Sequence, residues 1–376
     1  MNKFSLIFDF NYICNKSLFV AKGYEKRSKP YLNANIEQEQ LARKISTDFI
    51  HDISLFNGYD KVICCKDSKI RWRKKYCDTY KANRKKSTDV NWDAFYSIID
   101  DVCDLLQKQG IIISQLDGAE GDDLMYFWSK YLNKLKQNAI VITGDSDLSQ
   151  LVDFNKEIFT ITYNNNSKKK EILVKYGFLK FIESLKKDID ITDFFNMNNS
   201  ILSGQDPINM INIMIQSSET KEIDPLKIVL NKILLGDKSD NILPIWSWMG
   251  KTNKPIRVTE KYIIPIYEKI DNKLSNIKSP NDILQNDEIL NDICETIEKI
   301  GKIKIGFSEF RKNFQKNLKL IYLHRSQIPD DLIENFMRSV KNIDFENHRI
   351  NKFDIKSLLK DTRYEKNVEF ISGIFD

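Results

Sequence analysis

Four short apolar runs, each leading into acidic residues, constrain this chain most. They are Phe4 to Phe8, Val62 to Cys65, Ile111 to Ile113 and Ala139 to Ile142. Runs this short with polar flanks read as buried strands. Between them lie helical patterns. Leu41, Ile45, Phe49, Ile53 and Phe56 form one stripe over Glu37 to Phe56. Phe95, Ile98, Ile99, Val102, Leu105 and Leu106 share a face over Trp92 to Leu106. Leu124, Phe127, Trp128, Tyr131, Leu132 and Leu135 follow helical spacing. Strand and helix in alternation predict an α/β fold: a mostly parallel central sheet with helices on both faces.

The acids fall where such a sheet concentrates them. Asp9 closes the first run and Asp67 follows the second. Glu120, Asp122 and Asp123 follow the third and open a helix, and Asp145 and Asp147 follow the fourth. Ligands of open parallel sheets bind beyond the carboxyl ends of the strands. Carboxylates leaving four such ends converge, and two like charges about 4 Å apart repel by roughly 4 kcal/mol at an effective dielectric near 20. Relief comes from bound cations or from protonation. An all-oxygen donor set favours hard divalent ions, Mg²⁺ or Mn²⁺. Taken singly, each acid also reads as a helix cap or a turn residue.

Charge distribution says more than net charge, which is only +5 over 376 residues. Lys66, Lys69, Arg71, Arg73, Lys74, Lys75, Lys81, Arg84, Lys85 and Lys86 face only two acids, Asp67 and Asp78, within Lys66 to Lys86. Such a segment attracts phosphates, and Trp72, Tyr76 and Tyr80 within it offer rings on which bases can stack. The plain alternative is a solvated helix face.

Length predicts two domains, with 41% hydrophobic and 30% charged residues. No run of about 18 apolar residues suggests a membrane span. The first apolar run breaks at Asp9, so it reads as a core strand rather than a leader. Cys14, Cys64, Cys65, Cys77, Cys103 and Cys294 include no C-x-x-C pair, which argues for reduced thiols rather than a zinc site or disulfide framework. The expected division is an α/β domain over 1–245, carrying a basic arch near 68–92 and an insertion of loops and short helices near 164–222. A smaller, mostly helical part follows over 246–376. Its helical segments are 259–270, 281–300, 307–320 and 329–341.

Four segments also resemble a family. Tyr80-Lys81-Ala82-Asn83-Arg84 looks like the Y-K-x-x-R signature of 5′ nucleases related to flap endonucleases and to the nuclease domain of bacterial DNA polymerase I. Glu120-Gly121-Asp122-Asp123 is similar to its E-A-D-D, and Thr143-Gly144-Asp145-Ser146-Asp147-Leu148-Ser149-Gln150-Leu151 to its T-G-D-x-D-x-x-Q-L. Gly236-Asp237-Lys238-Ser239-Asp240-Asn241-Ile242 resembles its G-D-x-x-D-N-I/V. Size and a helical tail containing Ile328-Pro329-Asp330 look closest to the RNase H group of T-even-type phages. The resemblance implies a PIN-like 5′ nuclease that acts in replication as a 5′-3′ exonuclease or flap endonuclease on DNA and RNA–DNA hybrids, with two Mg²⁺ or Mn²⁺. It implies that Asp9, Asp67, Glu120 and Asp122 hold one ion, and that Asp122, Asp145, Asp147 and Asp240 hold the other. Asp123 and Asp237 act directly or through water. Lys81 and Arg84 sit on a helical arch and contact the scissile phosphate. Arg71, Arg73, Lys74, Lys75, Tyr80 and Lys85 bind substrate beside them.

The chain departs from that pattern at Gly121, where the family has Ala; the change is expected to be harmless to the carboxylates. After Asn241 it also lacks the family's glycine-rich hairpin, so Lys251, Lys254, Arg257 and Lys261 are expected to grip duplex instead. A replication single-strand-binding protein is the implied partner, the chain is expected to be a monomer, and the implied location is the cytoplasm of a phage-infected bacterium. Three rivals are weaker. A phosphotransferase with an Asp nucleophile wants D-x-D, and the chain reads Asp9-Phe10-Asn11. A non-catalytic branched-DNA-binding protein would not need all nine acids. A PIN-type ribonuclease would be shorter and lack the basic segment.

Overall fold

The computed structural model describes residues 4–23, 29–56, 59–155, 158–166, 169–187, 219–250 and 255–345. Lys251 and Lys254, and the 188–218 part of the expected insertion, lie outside them. The chain divides into two compact units. One draws its described residues from Met1–Lys69, Ser87–Ile223 and Glu334–Asp376, the other from Ile70–Lys86 and Asp224–Ile333.

The first unit is built on an eight-stranded, mostly parallel sheet in the order β3-β2-β1-β4-β6-β7-β8, with β5 paired to β6. Its strands are β1 (Phe4–Asp9), β2 (Tyr59–Cys65), β3 (Ile112–Ser114), β4 (Asn138–Thr143), β5 (Asp153–Asn155), β6 (Ile158–Asn166), β7 (Lys169–Lys175) and β8 (Glu219–Ile223). All four predicted strands pair in parallel, and only the β5–β6 and β6–β7 pairs are antiparallel. β1 is buried throughout because both faces are covered. Phe4, Leu6 and Phe8 belong to the core shared by α1 (Phe10–Lys22), α2 (Asn35–Ser54) and α3 (Trp92–Lys108). The helix α4 (Gly121–Lys134) lies against β1, β2, β4 and β6. Phe336 packs on Phe127 and Trp128 of α4, at ring separations of 5.0 and 5.4 Å.

The expected insertion is a correction. Its described residues do not form loops and short helices alone: β6 and β7 at its start and β8 at its end extend the sheet, with α5 (Phe178–Lys187) following β7. Ile172 and Val174 are fully buried in β7. The run from Ile161 to Lys175 is interrupted by Asn164-Asn165-Asn166 and Lys168-Lys169-Lys170, whose polarity hid the strands.

The second unit is helical: α6 (Pro225–Leu235), α7 (Ile263–Leu274), α8 (Pro280–Gln285), α9 (Asp287–Gly301), α10 (Phe307–Ile321) and the start of α11 (Asp330–Lys341). A two-stranded hairpin, β9 (Ser247–Met249) with β10 (Pro255–Arg257), joins them. Leu230, Ile233, Ile266, Ile270, Leu290, Ile293, Phe310 and Phe314 make its core. Two boundaries therefore differ from the single cut expected at 245. The segment from Ile70 to Lys86 belongs with the helices, because Cys77 and Tyr80 are buried in their core. So does the stretch from α6 through Asn241, since Leu234 and Ile242 enter the same cluster. All six cysteines are free thiols and buried. Among the described residues, no helix is long and apolar enough to cross a membrane.

Candidate active site

Strand order decides where the acids gather. The chain runs outward from β1 through β2 to β3, then returns to place β4 on the other side of β1. The switch point of the sheet thus lies between β1 and β4, the place where open parallel sheets form a crevice. Asp9 ends β1 there and Asp145 follows β4.

These carboxylates are tied to backbone and to one another. Asp9 caps α1, its Oδ1 accepting from the Tyr12 amide at 3.0 Å. Across the switch point, the Thr143 hydroxyl donates to Asp9 Oδ2 at 3.0 Å and accepts from the Asp145 amide at 2.9 Å. Asp145 Oδ1 accepts from the Asp147 amide at 2.9 Å. Asp67 is placed from three directions. Its amide donates to Asn11 Oδ1 at 3.1 Å, its carbonyl accepts from Gln115 Nε2 at 3.0 Å, and its Oδ1 accepts from the Gly121 amide at 2.7 Å. That last bond sets a carboxylate at the positive end of α4.

Burial holds the Asp9 carboxyl up to about 7, against an ordinary 3.8. The Tyr12 amide opposes this, the charges of Asp67 and Asp145 reinforce it, and the Thr143 hydroxyl opposes it again. Acids from two other strand ends therefore act on the charge of Asp9. A fourth, Asp122, acts with Asp9 on the buried Cys65 thiol, which burial chiefly pushes up.

Glu120 and Asp123 are engaged with backbone as well. Both are buried, and they form a reciprocal capping box at the start of α4, the Glu120 amide donating to Asp123 Oδ2 at 3.0 Å. The Asp123 carboxylate is thus engaged in capping the start of α4. A Cβ at Gly121 would stand 3.2 Å from Asp67 Oδ1, so an alanine there would need that side chain to give by a few tenths of an ångström.

The other two predicted acids lie in the helical unit. Asp237 closes a tight turn: its Oδ1 accepts from the Ser239 amide at 2.8 Å, the Ser239 hydroxyl at 2.6 Å and the Asp240 amide at 3.2 Å. Lys232 pairs with its Oδ2 at 3.0 Å. Burial works against the charge of Asp237, yet these donors outweigh it and hold the carboxyl down at about 2. Gly236 opens this turn at φ +72°, and a Cβ there would meet the Ile242 carbonyl oxygen at 2.4 Å, so glycine is required.

Asp240 holds the whole Tyr80–Arg84 motif. Its Oδ2 accepts from the Tyr80 hydroxyl at 2.9 Å and lies 3.6 Å from Lys81 Nζ; its Oδ1 accepts from Arg84 Nη2 at 2.5 Å. The Lys81 amide also donates to the Asp240 carbonyl at 2.8 Å, with Lys81 at φ +55°. Asn83 and Asn241 add side-chain bonds to Lys238 and Thr79 carbonyls. Two motifs about 155 positions apart thus fold as one. Tyr80→Phe removes the buried donor and is expected to cost about 1 to 3 kcal/mol in urea unfolding, as for an orphaned buried acceptor. An unchanged midpoint would show that Lys81 and Arg84 satisfy Asp240 alone.

The expected helical arch is not observed. Over 68–92 the only helical element before Trp92 is a single 3-10 turn, Trp72–Lys75, followed by turns. Cys77 and Tyr80 anchor this stretch to the helical core, which an exposed helix would not allow. Two substrate-binding assignments are corrected with it. Arg73 is only 3% exposed, its Nε donating to the Leu320 carbonyl at 2.9 Å, and Tyr80 is 2% exposed beneath Asp240. Neither presents a face to a ligand. Lys74, Lys75, Arg84, Lys85, Arg257 and Lys261 are exposed, and Arg71 is half-buried. Sequence reasoning missed Asn11, Gln115 and Thr143, whose side chains place the acids; the available signal was a polar residue beside each strand-end carboxylate.

The donor chemistry suits a hard divalent cation: carboxylate oxygens alone, one of them buried and raised further by its like-charged neighbours. Among the described residues, no three His, Cys, Asp or Glu side chains stand close enough together to share an ion.

A profile of the family described as 5′-3′ exonuclease, N-terminal resolvase-like domain, matches residues 7–177. No curated protein matches the sequence significantly. Among solved structures, the chain is similar to the bacteriophage T5 flap endonuclease, crystallised as a variant in a complex with DNA and metal ions. The TM-score is 0.50 at 13% identity, covering 92% of this chain and 99% of that one. The T5 protein co-crystallised with metal ions gives a TM-score of 0.49 at 13% identity, covering 91% and 100%. The chain shares the fold of the first, a mostly parallel resolvase-like sheet with a helical C-terminal part.

Proposed function

We propose that this protein is a 5′ nuclease that hydrolyses phosphodiesters near 5′ ends and branch points of DNA or RNA–DNA hybrids during replication. The observation that carries this reading is the gathering of Asp9, Asp67 and Asp145 at strand ends around the switch point of the sheet, where the Thr143 hydroxyl is bonded to both Asp9 and the Asp145 amide and Asn11 to the Asp67 amide. The family profile over 7–177 and the fold shared with a flap endonuclease support it.

Asp9, Asp67, Glu120 and Asp122 would hold one divalent cation, and Asp122, Asp145 and Asp147 a second, Mg²⁺ or Mn²⁺ by their oxygen donors. Bound there, the ions would supply charge to the phosphate and lower the pKa of an attacking water. The chain's own residues do the positioning. Thr143 joins Asp9 to the Asp145 backbone, and Asn11, Gln115 and the Gly121 amide fix the loop that carries Asp67. Lys81 and Arg84 offer positive charge for a phosphate, and Asp240 keeps them in register.

With Mg²⁺, the wild-type protein is expected to shorten 5′-labelled nicked, gapped, flapped and RNA-primed duplexes, leaving 5′-phosphate ends, and EDTA is expected to stop it. Tight binding to branched DNA with no cleavage under any divalent ion would instead favour a non-catalytic branch-binding protein.

A further inference from the structure

The basic segment and α10, both in the helical unit, together build a surface of their own. Trp72 is buried, with the Arg73 guanidinium 4.5 Å from its ring centre and Lys319 Nζ at 5.2 Å. Tyr76 meets Trp72 edge-on, at 5.7 Å and 80°. Lys319 Nζ lies 4.9 Å from the Tyr76 ring and also donates to the Gln327 carbonyl. Arg73 is bonded to Leu320 at the end of the same helix. Despite these anchors, Tyr76 is 52% exposed. It is a ring packed against the buried Trp72 and the half-buried Lys319 and left about half open to solvent, available for a ligand to stack on.

Cations surround it. Lys74 and Lys75 are exposed beside Tyr76. On α10, Lys312 and Lys316 are exposed and Lys319 is half-buried, at spacings of four and three residues. They therefore form one stripe along the helix, stepping about 6 and about 4.5 Å toward the ring. Beyond Lys319, Tyr322 and His324 stack in parallel, 5.0 Å apart, with exposed Arg325 next in sequence. The nearby acid that acts on Lys319 is Asp330.

Phosphates spaced along one strand suit a lysine stripe, and an unpaired base suits an open aromatic ring beside it. Inside a duplex each base face is covered by its stacked neighbours. We infer that Tyr76 and the Lys312–Lys316–Lys319 stripe bind an unpaired nucleic-acid strand, with one base stacked on Tyr76. This rests on the nucleic-acid reading above and adds to it a feature that selects single strand over duplex.

The test uses fluorescence anisotropy of a fluorescein-labelled oligodeoxythymidine and of a blunt duplex, with the full chain in EDTA so that cleavage plays no part. Tyr76→Leu, which keeps apolar bulk without a π face, is expected to weaken oligodeoxythymidine binding about tenfold. Tyr76→Phe should stay near wild type, and duplex affinity should be the same for all three proteins. Lys312→Gln with Lys316→Gln should flatten the salt dependence by about 0.7 in log–log slope for each phosphate that is no longer neutralised. Wild type that does not bind the oligodeoxythymidine, or Tyr76→Leu that binds it as tightly as wild type, would overturn the inference. Failure of the nuclease reading shows differently, as absence of cleavage by wild type with Mg²⁺, and leaves the anisotropy result standing.

Discussion

Asp145→Ala is expected to lower cleavage of a 5′-flapped duplex by roughly a thousandfold or more, the scale on which loss of one preorganised charge-stabilising group acts. Binding of the same substrate in EDTA should change little, because the positive charge sits elsewhere, on Lys74, Lys75, Lys85 and the α10 stripe. The substitution also removes the acceptor for the Asp147 amide, so the turn after β4 loses one bond. A small fall in thermal midpoint is therefore expected alongside the catalytic loss. Asp147→Asn serves as the companion, since it leaves that turn bond in place. Asp145→Ala that cuts at the wild-type rate would remove the strand-end carboxylates from the chemistry.

In EDTA, Asp9→Asn is expected to stabilise the fold at alkaline pH. The sign follows from the direction of the Asp9 shift. The folded carboxyl titrates at about 7 and the unfolded one near 3.8, so between those values the folded state holds a proton that the unfolded state has released. Stability then declines as pH rises through that window, by up to on the order of 4 kcal/mol once both states are ionised. An asparagine cannot ionise, and its oxygen can still accept from the Tyr12 amide. The variant should gain several kcal/mol at about pH 8 and almost nothing at about pH 4, measured by urea unfolding. Mg²⁺ should then stabilise wild type more than Asp9→Asn, by ordinary linkage to the folded state. Parallel pH profiles for the two proteins would mean that Asp9 is not a strained, buried charge.

These two predictions draw on one trade-off. A carboxylate buried at the centre of the sheet and beside like charges costs folding free energy. The same burial would give a cation held there a strong and poorly screened interaction. Other acids of the set are engaged with backbone: Asp123 caps the start of a helix and Asp237 closes a turn, each accepting from backbone amides. Asp240 pairs with two cations, Lys81 and Arg84, and accepts from the buried Tyr80 hydroxyl.

Local pattern was enough to establish the four parallel strands, the helices between them and the carboxylates at their ends. Strand length, helical spacing and the position of an acid after an apolar run are all short-range properties, written within a few residues of one another. The C-terminal helices were legible for the same reason. Tertiary structure alone decided which oxygens are already engaged, that Asn11, Gln115 and Thr143 place the acids, and that Arg73 and Tyr80 face inward. It also decided that 70–86 packs with helices more than 140 positions away, as the Tyr80–Asp240 bond shows. Those outcomes depend on which surfaces meet when the chain closes on itself, and no window of neighbouring residues contains that information.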